Sequence, residues 1–264
     1  MQANHVESDE RIGSDPRAGW LGHAIVSGFA ATIIMLFVFL AAYGLASLAS
    51  TVALANKPGA EIMRLWLHNL TNNALIDAAR TNLYSATALY LAGGLAWAVI
   101  YACLAEPRLP GPGWLRGGLF SIVPAILSVV VFLPLVGAGM LGSELGAGPL
   151  PVVGNLLLHV VYGTTLGHLY GPFGDVDATT LERTTPGVEV GGGPASQRLA
   201  ASGLLVGLLL GAGLGIAGAV VANLGPDQTL LGEPAAALVL STAVLGATLG
   251  GLIGSFLDLS ARAT

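Results

Sequence analysis

With 264 residues, 54% of them hydrophobic and 9% charged, the chain falls far short of the roughly 25% charged residues of a soluble globular domain. Its 38 glycines sit inside long apolar runs without a Gly-X-Y period, which excludes collagen-like and disordered chains as well. A net charge of −5 provides no basic face for phosphates and so no nucleic-acid partner, and a single cysteine, Cys103, allows no internal disulfide.

What remains is an all-α integral membrane protein, with the lipid bilayer as its first partner. A hydrocarbon core of about 30 Å needs about 20 apolar residues of helix, and the chain supplies six such runs. The tail before them, residues 1–19, holds Glu7, Asp9, Glu10 and Asp15 against Arg11 and Arg17. Lacking a short apolar core with a cleavage site, it is expected to be a polar cytoplasmic tail rather than a signal peptide. Residues 20–264 are then one transmembrane domain, whose first span is predicted at 20–48.

An outer insertion, 51–81, follows. Its Ile62, Leu65, Trp66 and Asn69 fall at helical spacing, which predicts an amphipathic helix on the outer membrane face with Trp66 at headgroup level, or else a helical extension of the second span. Asn69-Leu70-Thr71 matches a glycosylation sequon, a weak three-residue pattern. The later spans are predicted at 82–104, 117–141, 150–172, 199–224 and 234–257. A polar, Gly/Pro-punctuated linker at 172–198 separates the fourth from the fifth.

Orientation follows from basic residues, which resist translocation. With the N-terminus inside, seven of them are cytoplasmic (Arg11, Arg17, Arg108, Arg116, Arg183, Arg198 and Arg262), while Lys57, Arg64 and Arg80 lie outside. Both termini are therefore expected in the cytoplasm of a cell with an inner membrane.

A shift of 83 residues lays Gly163-Thr-Thr-Leu-Gly-His-Leu-Tyr-Gly-Pro-Phe173 over Gly246-Ala-Thr-Leu-Gly-Gly-Leu-Ile-Gly-Ser-Phe256, keeping three glycines, two leucines, a threonine and the phenylalanine in register. The same shift places Glu144 on Asp227 and Pro151 on Pro234. At a shift of 69, Gly94, Ala98 and Ala102 lie over Gly163, Gly167 and Gly171. Three same-topology hairpins are implied, over approximately 20–110, 111–180 and 195–264, with a repeat axis along the membrane normal. The stripes Gly163/Gly167/Gly171, Gly246/Gly250/Gly254 and Gly203/Gly207/Gly211/Gly215 each occupy one helix face, where missing side chains let a neighbouring backbone approach. They are expected to hold the bundle together; a pore or substrate path is the alternative.

No Asp, Glu, Lys or Arg lies deep in a predicted span, so the carboxylate of an ion-coupled carrier is missing. The polar interior candidates are Asn155, His159, Tyr162 and Asn223. His159 and Tyr162 share a face beside Gly163 and would either contact a quinone, haem or substrate, or hydrogen-bond a neighbouring helix at a close crossing. His168 lies on roughly the opposite face from His159, at a depth similar to His23, and a bis-histidine haem between His23 and His168 is conceivable. No metal site is expected. Glu106, Asp175 and Asp258 recur at hairpin inner ends, where a carboxylate opposes the helix dipole; pairing with Arg108, Arg116 or Arg198 would explain them, and solvated interfacial acids are the plainer account. No Ser-His-Asp set, His-Glu-x-x-His, CxxC or P-loop occurs, so no enzyme is expected.

At His159-x-x-Tyr-Gly163-x-x-x-Gly167-x-x-Tyr-Gly171, preceded by Leu133-Pro-Leu-Val-Gly-Ala-Gly-Met-Leu-Gly142, the chain resembles a family of uncharacterised prokaryotic multi-spanning membrane proteins. The resemblance covers spans three and four and implies an inner-membrane helical bundle without a known mechanism. Some similar proteins accompany respiratory oxidases, which implies a setting and not a reaction. The expected function is a non-catalytic membrane subunit or accessory protein of a larger complex with membrane-protein partners. Alternatives are a small-solute or ion pathway, or a quinone- or haem-binding subunit; no cofactor is expected, haem or quinone entering only with the last of these.

Overall fold

Six helices are long and apolar enough to cross a membrane: Trp20–Thr51, Leu83–Ala105, Gly113–Leu135, Leu150–Gly171, Arg198–Val221 and Ala235–Leu257. Hydrocarbon offers backbone N–H and C=O groups no partner, and segments of this composition satisfy those groups along their own axes. The structure, a computed structural model, describes residues 20–51, 59–174, 194–222, 224, 228–231 and 233–261, and of 172–174, 194–197 and 258–261 the backbone alone.

In chain order the helices are α1 (Trp20–Thr51), α2 (Ala60–Thr71), α3 (Ala74–Thr81), α4 (Leu83–Ile100), α5 (Gly113–Leu127), α6 (Leu150–Gly174), α7 (Pro194–Val221) and α8 (Ala235–Ala261). A π-helical turn, Tyr101–Ala105, continues α4. Another, Ser128–Phe132, continues α5 into a last turn at Leu133–Leu135. Two short strands, β1 (Thr229–Leu230) and β2 (Glu233–Pro234), pair antiparallel between α7 and α8.

The third span corrects the expected 117–141 at both ends. Pro112 occupies the N-cap position of α5, so the Pro-Gly run that reads as loop already starts the helix at Gly113. At the far end apolarity persists to Leu141 but helix does not: Gly137 and Gly139 take φ of +79° and +75°, and Leu141 itself sits at +58°. An apolar turn and an apolar helix have the same hydropathy, and the backbone at these glycines separates them.

The outer insertion forms two short helices instead of one. Asn73 breaks it, its side-chain Oδ1 accepting from Ile76 N at 3.1 Å to cap α3 while its Nδ2 donates back to Asn69 O at 2.8 Å. α2 packs on α1 and reaches the loop before α6; α3 leads directly into α4. Trp66 lies over Gly148, whose φ is +56° and where a Cβ would come 2.5 Å from the indole. Asn69 Nδ2 donates to Gly146 O at 3.0 Å. Of the residues expected on the inward face, Trp66 and Asn69 are half-buried, whereas Ile62 and Leu65 are 54% and 56% exposed.

α7 packs along α8 and α5 along α6, while α1 packs on α6 at least as extensively as on α4, and both α1 and α4 also pack on α8. One core joins α1, α4, α5 and α6 around Ala24, Ala98, Tyr101, Phe120, Tyr162 and Leu166; a smaller one joins α1 to α7 and α8 at Ile25, Ala200 and Leu252. Among the described residues, no extensive contact links α5–α6 with α7–α8. α1 and α4 therefore lie between α5–α6 on one side and α7–α8 on the other. The start of α1, the ends of α4, α6 and α8, and the starts of α5 and α7 gather at one end of the bundle, as contacts such as Gly22 with Ser255, Gly113 with Gly171 and Tyr101 with Tyr170 require.

Candidate functional site

The polar residues of the interior gather where α6 meets α4 and α5. α6 turns Tyr162 inward beside Gly163, and the hydroxyl donates to Gly94 O on α4 at 2.5 Å, with the residue 2% exposed. Gly94 can receive it because α1 and α4 come together there: a Cβ on Gly94 would strike Thr32, and one on Gly28 would strike Ala98. Two turns earlier on α6, Asn155 bridges to α5. Its Nδ2 donates to Ala125 O at 3.0 Å and its Oδ1 accepts from Ser128 Oγ at 2.8 Å. Ser128 opens a π-turn, and Pro124, one turn before it inside α5, has no N–H to give to the helix ladder.

His159 lies between these two anchors. Its Nδ1 is 2.8 Å from Asn155 O; a carbonyl only accepts, so Nδ1 carries the proton and Nε2 is left with the lone pair. On α4, one turn before Gly94, Tyr90 buries its hydroxyl without a hydrogen-bond partner among the described residues. Below this level the interior is aromatic. Tyr101 stacks obliquely on Phe120 at 5.3 Å and edge-on to Tyr170 at 5.9 Å, and Trp97 meets Phe120 at 5.9 Å.

At the end where the termini gather, Glu106 accepts from Arg116 at 3.0 Å, both side chains mostly buried. Arg108 instead donates to Leu104 O at 2.7 Å. Asp175, Asn223 and Asp227 lie outside the described residues, as does the side chain of Asp258. His168 is exposed, and His23 is half-buried on α1. Among the described residues, no group of three or more His, Cys, Asp or Glu side chains could hold a metal ion.

The glycines meet in two further seams. A Cβ on Gly163 or Gly167 would strike the carbonyl of Gly117 or Gly113, and one on Gly171 would come 2.8 Å from Gly113 Cα. In the last pair, Gly203 faces Gly250, Gly207 faces Gly246, Gly211 and Gly215 face Thr242, and Gly254 faces Leu199. Sequence reasoning named Gly94 on α4 and the glycines of α6, α7 and α8 but missed Gly28, Gly113 and Gly117; the i, i+4 spacing of Gly113 and Gly117 was the available signal.

It also missed Glu233. This carboxylate, 1% exposed, accepts from Ser85 N at 2.9 Å and caps α4 from 148 residues along the chain. Nothing local marks it, since it stands at the edge of a span next to a proline.

Residues 20–180 match a family of unknown function, DUF6789. The chain belongs to this family. The DUF6789 match takes in α1 to α6, and with them every residue of the Tyr162, Asn155 and Glu106 contacts, while α7 and α8 lie beyond it. No curated protein and no solved structure matches the chain.

Proposed function

We propose that this DUF6789 protein is a non-catalytic multi-pass membrane subunit that packs against partner membrane proteins in a larger complex, with both termini cytoplasmic. The observation that carries the proposal is how the interior polar groups are used. The Tyr162 hydroxyl, the Asn155 amide and the Glu106 carboxylate, the groups a substrate or cofactor would need, each hydrogen-bond a neighbouring helix. They serve as interhelical ties of the kind that replaces hydrophobic association inside a bilayer.

The bundle is further read as three related hairpins fastened by glycine seams. In support, Gly94, Gly163 and Gly246, equivalent by the two sequence shifts, each face the first arm of their own pair. The equivalence is imperfect on that first arm. Gly163 meets Gly117, but Gly246 meets Gly207, seven residues beyond the position the shift of 83 assigns. Seven residues are nearly two turns, so α7 keeps the same face inward after sliding roughly 10 Å along its partner.

Extraction in a mild detergent and purification through a tag on the full chain tests the subunit proposal: defined membrane proteins at constant stoichiometry are expected, and a chain that always runs alone contradicts it. The Tyr90 hydroxyl, without a partner among the described residues, favours a second reading, a quinone-like carbonyl bound at Tyr90. Quinone extracted from purified protein at near-equal ratio would support that reading, and its absence would remove it.

A further inference from the structure

Between α7 and α8 runs a furrow of about 610 Å³, whose lining also takes in Tyr84 of α4. Its floor is backbone, because Gly203, Gly207 and Gly250 bring the two helices together without side chains. Its walls are the α7 ridge Ser202, Val206, Leu210 and Leu214 and, on α8, Leu249 and Ile253. Arg198 stands one turn before Ser202 on the same i, i+4 ridge, at the mouth of the furrow; it is exposed and makes no ion pair among the described residues. We propose that this furrow binds an anionic phospholipid, with one acyl chain between the apolar walls and the phosphate on Arg198.

Shape, length and charge select that occupant. A helix about 10–12 Å across would ride on the walls without reaching the glycine floor, whereas an unbranched alkyl chain lies between them. From Leu199 to Leu214 the furrow rises roughly 22 Å, more than the roughly 15 Å that is half a bilayer core. α7 has no acid in its first turn, so the positive end of the helix dipole adds to Arg198 and favours a net anion. The site lies outside the DUF6789 match and stands independently of any partner complex.

Native mass spectrometry of the full chain, released from detergent containing equal phosphatidylglycerol and phosphatidylcholine, tests it. Phosphatidylglycerol is expected to be retained about fivefold over phosphatidylcholine, the effect of one basic residue near an anionic headgroup. Arg198→Gln abolishes that preference and Arg198→Lys keeps most of it. Val206→Trp, which fills the furrow from an exposed position, lowers retention of both lipids without changing the melting temperature in lipid-free detergent. Equal retention of the two lipids by the wild type overturns the proposal, as does an Arg198→Gln variant that keeps the preference. Displacement of the lipid by inorganic phosphate alone, or lipid-free dimers formed through this face, overturns it as well.

Discussion

Tyr162 shows how one side chain can be both inside a membrane and fully satisfied: its ring fills the core between α1, α4 and α6 while its hydroxyl reaches a backbone carbonyl that only a glycine exposes. Interhelical hydrogen bonds in a bilayer are worth about 0.6–1.7 kcal/mol. Tyr162→Phe is therefore expected to lose about that much in a detergent unfolding titration with little loss of packing; an unchanged midpoint would mean the bond contributes nothing. Glu233 makes a sharper case, since without its carboxylate the Ser85 N–H in the first turn of α4 loses its partner. Glu233→Ala should cost about 1–3 kcal/mol and Glu233→Gln, which keeps an acceptor, clearly less; equal losses would contradict the capping role. Tyr162 was legible from the sequence because it sits beside a glycine on a helical stripe. Glu233 was not, because its partner lies 148 residues away.

At the scale of the helices, contact depends on which glycine is replaced rather than on how many there are. A Cβ on Gly117 meets the Gly163 carbonyl, whereas one on Gly154 meets nothing within 4 Å. Gly117→Leu is thus expected to force α5 from α6 and lower the detergent melting temperature by many degrees. Gly154→Leu, in the same pair, should leave it unchanged or slightly raised through better helix propensity. Equal effects would show that the seam is not a close approach. The Glu106–Arg116 pair ties the end of α4 to the start of α5. A double-mutant cycle with Glu106→Gln and Arg116→Gln should return a coupling of about 1–3 kcal/mol, and a coupling near zero would make them independent interfacial charges. Hydropathy gave all six membrane-crossing runs because each is apolar over its whole length. It overran the third at Leu141, where apolar residues turn on positive-φ backbone, and it started that span at Gly117, one turn late, because Gly113 follows prolines that read as loop.

For the whole molecule, α1 and α4 lie between α5–α6 and α7–α8, so among the described residues the last two helices are held to the rest mainly through α1 and α4. The sequence repeats implied related hairpins but not their order in space, which depends on contacts between segments far apart in the chain.

The proposed topology, with both termini cytoplasmic, puts Arg108 and Arg198 on the cytoplasmic side of the membrane and α2 on the other. Single-cysteine labelling decides this most directly. In a Cys103→Ser background, Glu61→Cys should react with a membrane-impermeant maleimide in intact cells or spheroplasts, while Arg108→Cys should react only after the membrane is opened. If both positions react from the same side, the six-crossing topology with cytoplasmic termini is wrong.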